Sequence, residues 1–243
     1  MSLKNRTAII TGASSGIGRE AALKLGKSGV RVALLARRES NLNSAADAIR
    51  DAGGDALVLK TDVTSEDDVK RAVRRTAEEY DGIDYLINVA GLGIFKPVEE
   101  LSPAEWNTQI GVMLTGAFLM THFTLPHIYR KRQGRVVFVT SLWGPVKTAA
   151  DCSAYNAAKA GVSALADALR EEVREKELDV GVTEIRPGTV ATEFFDKADY
   201  KGSVDAQRVL SASDVAGAVC DVLQARFSVA HNTIEIEGIN PPY

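Results

Sequence analysis

Short apolar runs alternate along the chain with longer stretches in which apolar residues return every three or four positions. The short runs predict strands at Thr7 to Thr11, Arg31 to Leu35, Ala56 to Lys60, Ile83 to Asn88, Arg135 to Thr140, Val180 to Arg186 and Thr233 to Glu237. Their apolar residues are consecutive rather than alternating, as expected of strands covered on both faces. The longer stretches predict helices over Gly16 to Lys27, Asn41 to Ala52, Glu66 to Tyr80, Pro103 to Tyr129, Tyr155 to Lys176 and Ser213 to Arg226. Helix starts are legible at Ser65, which precedes Glu66 and Asp68, at Pro103, and at Ser213, which precedes Asp214. Gly29 and Gly53 are expected to end helices. The alternation predicts an α/β fold with one parallel sheet of about seven strands and helices on both faces. No linker or repeat interrupts it, so residues 1–243 are expected to form a single domain. Glu193 to Leu210, rich in charge and small residues, is expected to be a mobile loop over a site.

Composition removes several function classes. With 29 Lys plus Arg against 32 Asp plus Glu, the net charge of -3 provides no basic field for a nucleic acid backbone. The apolar runs fall far short of the roughly 20 residues needed to span a bilayer. An apolar leader is also lacking, so a cytoplasmic protein is expected. Cys152 and Cys220 have neither CxxC spacing nor a histidine cluster, which predicts no disulfide framework and no metal site. Cys152 has no base at motif spacing and reads as a packed residue; His122, His127 and His231 are scattered and receive no role.

Candidate chemistry begins after the first strand. Gly12, Ser14, Ser15, Gly16, Ile17 and Gly18 lie where a strand turns into a helix, a setting in which exposed N–H groups and the positive end of the helix dipole bind a pyrophosphate. The alternative is a tight turn that binds nothing. At the end of the second strand, where an acid would hold the ribose diol of NAD, stand Arg37 and Arg38. Cations there suit the 2′-phosphate of NADP(H), unless they are ordinary surface charges. Tyr155 and Lys159 are four residues apart and share one helix face, so the ammonium is expected to lower the phenol's pKa and make it an acid or base.

Taken in order, Thr11 to Gly18, Asn88-Val89-Ala90-Gly91, Ser141, Tyr155 to Lys159 and Pro187-Gly188 resemble the short-chain dehydrogenase/reductase family over nearly the whole chain. The resemblance implies a Rossmann-type doubly wound domain. It implies that Tyr155 exchanges a proton with a substrate oxygen, that Lys159 binds the nicotinamide ribose, and that Ser141 polarises the same oxygen. It further implies cofactor contacts from Asp62 and Val63, from Asn88, Ala90 and Gly91, and from Pro187, Gly188, Val190 and Thr192. For Asp62 the bland alternative is a turn cap, and for Pro187-Gly188 a strand end. The substrate is expected over Tyr155, between Leu92 and Phe95, Trp143 and Val146, Cys152, and the segment from Glu193 to Tyr200, with Gly93, Trp143 and Phe194 in contact. These segments are largely apolar and point to a neutral or moderately hydrophobic ketone or alcohol, and the resemblance implies a carbonyl reductase of the 3-oxoacyl or 3-hydroxy acid type. Homodimers or homotetramers are usual in the family, with the helices of Pro103 to Tyr129 and Tyr155 to Lys176 as contact surfaces.

Three positions depart from the family pattern. Met113 replaces an Asn associated with a water that links the catalytic Lys to solvent, and a thioether donates no hydrogen bond. Val89 replaces the second Asn of Asn-Asn-Ala-Gly, a change expected to affect sheet packing. The C-terminus lacks the common Val-Asp-Gly-Gly ending. Met113 motivates an alternative: an NADP(H)-binding regulatory or scaffold protein with little or no turnover.

Overall fold

The computed structural model describes residues 2–194 and 209–239. Seven parallel strands form one sheet: β1 (Thr7–Thr11), β2 (Arg31–Ala36), β3 (Asp55–Lys60), β4 (Tyr85–Asn88), β5 (Gln133–Val139), β6 (Asp179–Pro187) and β9 (Thr233–Ile236). A separate two-residue pairing joins β7 (Val190–Ala191) to β8 (Leu210–Ser211). The sheet order is β3-β2-β1-β4-β5-β6-β9. Chain order reverses between β1 and β4, so the helices that follow these strands cover opposite faces and leave a crevice at the strands' carboxyl ends.

The helices are α1 (Gly16–Lys27), α2 (Glu39–Asp51), α3 (Glu66–Tyr80), α4 (Pro103–Ile110), α5 (Gly116–Arg130), α6 (Ser153–Glu175) and α7 (Ala212–Gln224). Neighbouring residues of β1 serve opposite faces of the sheet. Ile10 packs in the layer holding Leu25 of α1 and Val219 of α7, whereas Ile9 packs with Val69 of α3, Met120 of α5 and Val162 of α6. Burying each such side chain contributes about 1.5–3 kcal/mol, which explains the consecutive apolar pattern. The sheet edge departs from full burial on both sides: β9 exposes Thr233 and Glu235 and half-buries Ile234 and Ile236.

Most predicted elements agree within a few residues, and the differences have local causes. The helix expected from Pro103 to Tyr129 is interrupted by a π-helical turn, Gly111–Thr115. At its end Gly116 lies against Val63, where a Cβ would come within 2.8 Å of the valine side chain. The last helix is capped by Ser211 rather than Ser213: Ser211 Oγ accepts from the Asp214 N–H at 3.2 Å, and the Asp214 carboxylate accepts from the Ser211 N–H at 2.8 Å. Ser65 caps α3 as expected, accepting from the Asp68 N–H. Gly29 and Gly53 adopt φ values of 81° and 80° after α1 and α2. Residues 195–208, on which most of the mobile-loop expectation falls, lie outside the described residues, as do residues 240–243.

Candidate active site

A cavity of about 510 Å³ opens along the carboxyl ends of the central strands, within the usual range for a small-molecule site. Its phosphate end is built on the β1–α1 turn. Gly12 has φ 68°, and a Cβ there would stand 3.1 Å from the Ala90 backbone; a Cβ on Gly18 would lie 2.5 Å from the Gly12 carbonyl oxygen. The bare backbone thus lets the turn seat against the β4 end and lets α1 pack on its own turn. The Thr11 hydroxyl accepts from the N–H groups of Val89 and Ala90, both at 3.0 Å, and ties the two loops together. Ser15 stands at the N-cap of α1, but its hydroxyl accepts no hydrogen bond from the helix's own N–H groups, so it does not compete for those an anion would use.

At the end of β2, Arg38 Nη2 donates to Ser14 Oγ at 3.1 Å, Ser15 Oγ at 2.6 Å and Glu193 Oε1 at 2.9 Å. Arg37 lines the same end and is exposed. Asp62 borders the cavity too, while its Oδ1 accepts from the Thr64 N–H and hydroxyl and so also holds the turn after β3.

Ser141 follows β5, and Tyr155 and Lys159 face it from α6. The Tyr155 phenol lies near enough to the Ser141 hydroxyl for that group to favour its ionised form, and Ser141 Oγ accepts the Trp143 N–H at 3.0 Å. Lys159 Nζ donates to the Val139 carbonyl at 3.0 Å and lies 5.7 Å from the centre of the Tyr155 ring. Burial dominates both groups. It pushes the phenol up to about 12, only partly opposed by the nearby Ser141 hydroxyl, and brings the lysine down to about 8. The expectation that Lys159 brings the phenol toward neutrality is therefore overturned: the spacing gave proximity, but desolvation of a deeply buried ring outweighs it.

The lysine's descent is opposed by Glu184, a fully buried carboxylate on β6. Glu184 accepts from the hydroxyls of Thr140 and Ser163 and from Arg186 Nη2, and these donors outweigh the burial that would otherwise raise its pKa.

Beyond Tyr155 the cavity is aromatic. The Phe95 ring meets Trp143, Tyr155 and Phe194 edge to face, with centroids 6.5, 5.8 and 6.2 Å apart. Gly93 allows this closure, because a Cβ there would lie 2.8 Å from the Phe95 ring and 2.9 Å from that of Phe194.

The family model described as short chain dehydrogenase matches residues 6–201. The chain belongs to this family. Short-chain dehydrogenases are oxidoreductases that use a nicotinamide cofactor. An uncharacterised oxidoreductase of Staphylococcus saprophyticus is 31% identical over 98% of this chain and 99% of its own. The 11-beta-hydroxysteroid dehydrogenase A of Sesamum indicum is 33% identical over 78% of this chain and 53% of its own. Among solved structures, an alcohol dehydrogenase from the archaeon Thermococcus sibiricus, complexed with 5-hydroxy-NADP, superposes with a TM-score of 0.88 at 27% identity, covering 98% of this chain and 99% of that one. A metagenomic short-chain oxidoreductase in complex with NADP superposes with a TM-score of 0.85 at 29% identity, covering both chains fully.

In this short-chain dehydrogenase every sequence-nominated site residue lines the cavity except Asn88. Asn88 lies behind it, facing a second space of about 10 Å³ shared with Met113 and Lys159, room for one water molecule. Its Nδ2 donates to Thr121 Oγ1 at 3.3 Å, and its buried Oδ1 has no hydrogen-bond partner. Val89, expected to affect sheet packing more than chemistry, lines the main cavity. Cys152 does not; it is buried at the N-cap of α6, where burial raises its thiol to about 11. Val146 turns outward and is exposed.

Three residues escaped the sequence reading. Gln109 is fully buried and clasps the loop below Phe95, accepting from the Ile94 N–H at 3.0 Å and donating to the Ile94 carbonyl at 3.2 Å. A polar residue on the covered face of a helix was its signal. Glu184 likewise stood as a lone acid inside an apolar strand, and Glu193 as a charge at the start of the segment expected to border the substrate, where it was given no role of its own. Among the described residues no cluster of His, Cys, Asp or Glu is suited to a metal, and no helix is long and apolar enough to cross a membrane.

Proposed function

We propose that this short-chain dehydrogenase is NADP(H)-dependent and interconverts a ketone and a secondary alcohol, with Tyr155 as the proton donor. The observation that carries this reading is the meeting of Ser141, Tyr155 and Lys159 in one cavity, between a glycine-rich turn and an aromatic pocket. The site fits a dinucleotide: two close-approach glycines, a helix N-terminus without a side-chain competitor, and a lysine with one acceptor among the described residues. Arg37 and Arg38, with no acid at the end of β2, favour the 2′-phosphorylated form, as do the NADP compounds in the two solved neighbours.

The bound cofactor would supply or accept the hydride. Held by Ser14, Ser15 and the α1 N-terminus at one end, it would meet Lys159 at the other. There the two ammonium hydrogens not committed to Val139 are placed for ribose hydroxyls. Ser141 would donate to the substrate oxygen as charge develops there, and the Tyr155 hydroxyl would deliver the proton. Burial holds the Tyr155 phenol in its protonated form at neutral pH, the form that gives a proton to a ketone oxygen. Phe95, Trp143 and Phe194 exclude water and suit a neutral, apolar ketone. Assembly as a homodimer or homotetramer belongs to the same reading, supported by Trp106 and Phe118, which stand partly exposed on α4 and α5.

The test is NADPH consumption by the purified protein across ketones, 3-oxo esters, quinones and aldehydes. Consumption with an apolar ketone at neutral pH is the expected result; NADPH binding without turnover on any of them would favour the regulatory alternative. The pH profile carries a second expectation. Lys159 is charged below about pH 8 and neutral above it, so kcat/KM for reduction should fall as pH rises through that value. Glu184→Gln, which removes the charge that favours the ammonium form, should move the fall to lower pH. A flat profile from pH 6 to 10 in both proteins would sink this role for the lysine.

A further inference from the structure

Resting on the NADP(H) reading above, we infer that Glu193 is an internal competitor of the cofactor's 2′-phosphate: its carboxylate takes the seat on Arg38 that the phosphate needs, and so sets NADPH affinity and selectivity. The seat is defined by convergence. Ser14 Oγ, Ser15 Oγ and Glu193 Oε1 all lie within 3.1 Å of a single Arg38 nitrogen, at the mouth of the glycine-rich turn. Two hydroxyls and a guanidinium are the donors a phosphate monoester requires, and the anion already among them is Glu193. The contact is not local. It joins residues 155 apart in sequence, reaching across from the segment after β7 to the end of β2. That segment is seated on the turn itself, since the Thr192 methyl lies 3.3 Å from where a Cβ of Gly16 would be.

Energetics make the carboxylate displaceable. Both side chains of the pair are 40% exposed, and an ion pair so open to solvent shifts an equilibrium by no more than about fivefold. A 2′-phosphate carries close to two negative charges at neutral pH and offers three acceptor oxygens to the same donors. It wins the seat, but it must dislodge Glu193 and then tolerate a carboxylate nearby. NADH has no group for the seat and leaves the pair undisturbed. Glu193 therefore costs NADPH affinity without costing NADH affinity. Should the pair instead close as a strap over bound cofactor, it would support both forms alike.

The experiment is a fluorescence titration of the full-length protein with NADPH and with NADH, comparing unaltered protein, Glu193→Gln, Arg38→Leu and the double variant. Glu193→Gln should lower the NADPH Kd about two- to fivefold, leave the NADH Kd unchanged, and have no effect on NADPH when Arg38 is already leucine. An unchanged or raised NADPH Kd in Glu193→Gln, or equal shifts for both cofactors, would overturn the competition. Unaltered protein that binds NADH as tightly as NADPH would overturn the cofactor reading, and the inference with it, so the two failures are told apart by the unaltered protein alone.

Discussion

Tyr155→Phe should reduce NADPH-dependent turnover by about 10²- to 10⁴-fold, the range of a positioned general acid, while leaving the Kd for NADPH within about twofold. The substitution deletes one oxygen and keeps the ring. Phe95 and Phe194, with centroids 5.8 and 5.9 Å from that of Tyr155, and Met113 beneath still have a ring to pack on, so the pocket keeps its shape. Ser141 does not become an orphan, because its Oγ still accepts the Trp143 N–H. The loss should therefore fall on kcat rather than on folding, which a thermal melt would check. At neutral pH the buried phenol holds its proton, so the unaltered enzyme gives the substrate oxygen a donor that phenylalanine cannot. Retention of more than a tenth of the turnover would show that water or another side chain delivers the proton, and the catalytic reading of Tyr155 would fall.

How much of this could be read from the residues differs with the range of the forces involved. The sheet was legible because burial on two faces forces consecutive apolar residues in β1, β2, β4 and β5, and the starts of α3 and α4 and the ends of α1 and α2 follow from capping chemistry within four residues. The π-helical turn was not, because Gly111 and Gly116 suit an α-helix equally well; the contact of Gly116 with Val63, far away in sequence, distinguishes the position. The last helix start failed more narrowly. Ser211 and Ser213 both precede Asp214, and the capping box needs the serine three residues back. At the site, spacing located the glycine-rich turn that lines the cavity and put Tyr155 beside Lys159, since these are local facts. It gave the wrong direction for the phenol's pKa because desolvation depends on what the rest of the chain packs around the ring. Arg37 and Arg38 were indistinguishable as a pair of adjacent cations, and only the fold shows that Arg38 is already engaged by Ser14, Ser15 and Glu193.

Replacing both cations separates the dinucleotide's two forms most sharply. Arg37→Leu combined with Arg38→Leu is expected to raise the NADPH Kd by about 100-fold and the NADH Kd by less than about threefold. Charge-assisted hydrogen bonds contribute about 1.5–3 kcal/mol each, and a combined loss near 3 kcal/mol corresponds to two decades. Solvent screening keeps the figure from being larger, since Arg37 is exposed and the Arg38 side chain 40% so. NADH is spared because the pyrophosphate cradle at Gly12 to Gly18 and the ribose contact of Lys159 are untouched by the change. The electrostatic origin brings its own check. Raising NaCl from 50 mM to 500 mM should weaken NADPH binding to the unaltered protein and hardly affect the double variant, so the gap between them narrows. If both cofactors weaken together in the double variant, the arginines support the turn and α2 rather than the 2′-phosphate. If neither weakens, they are ordinary surface charges, and the selectivity of the site must be sought at Ser14 and Ser15.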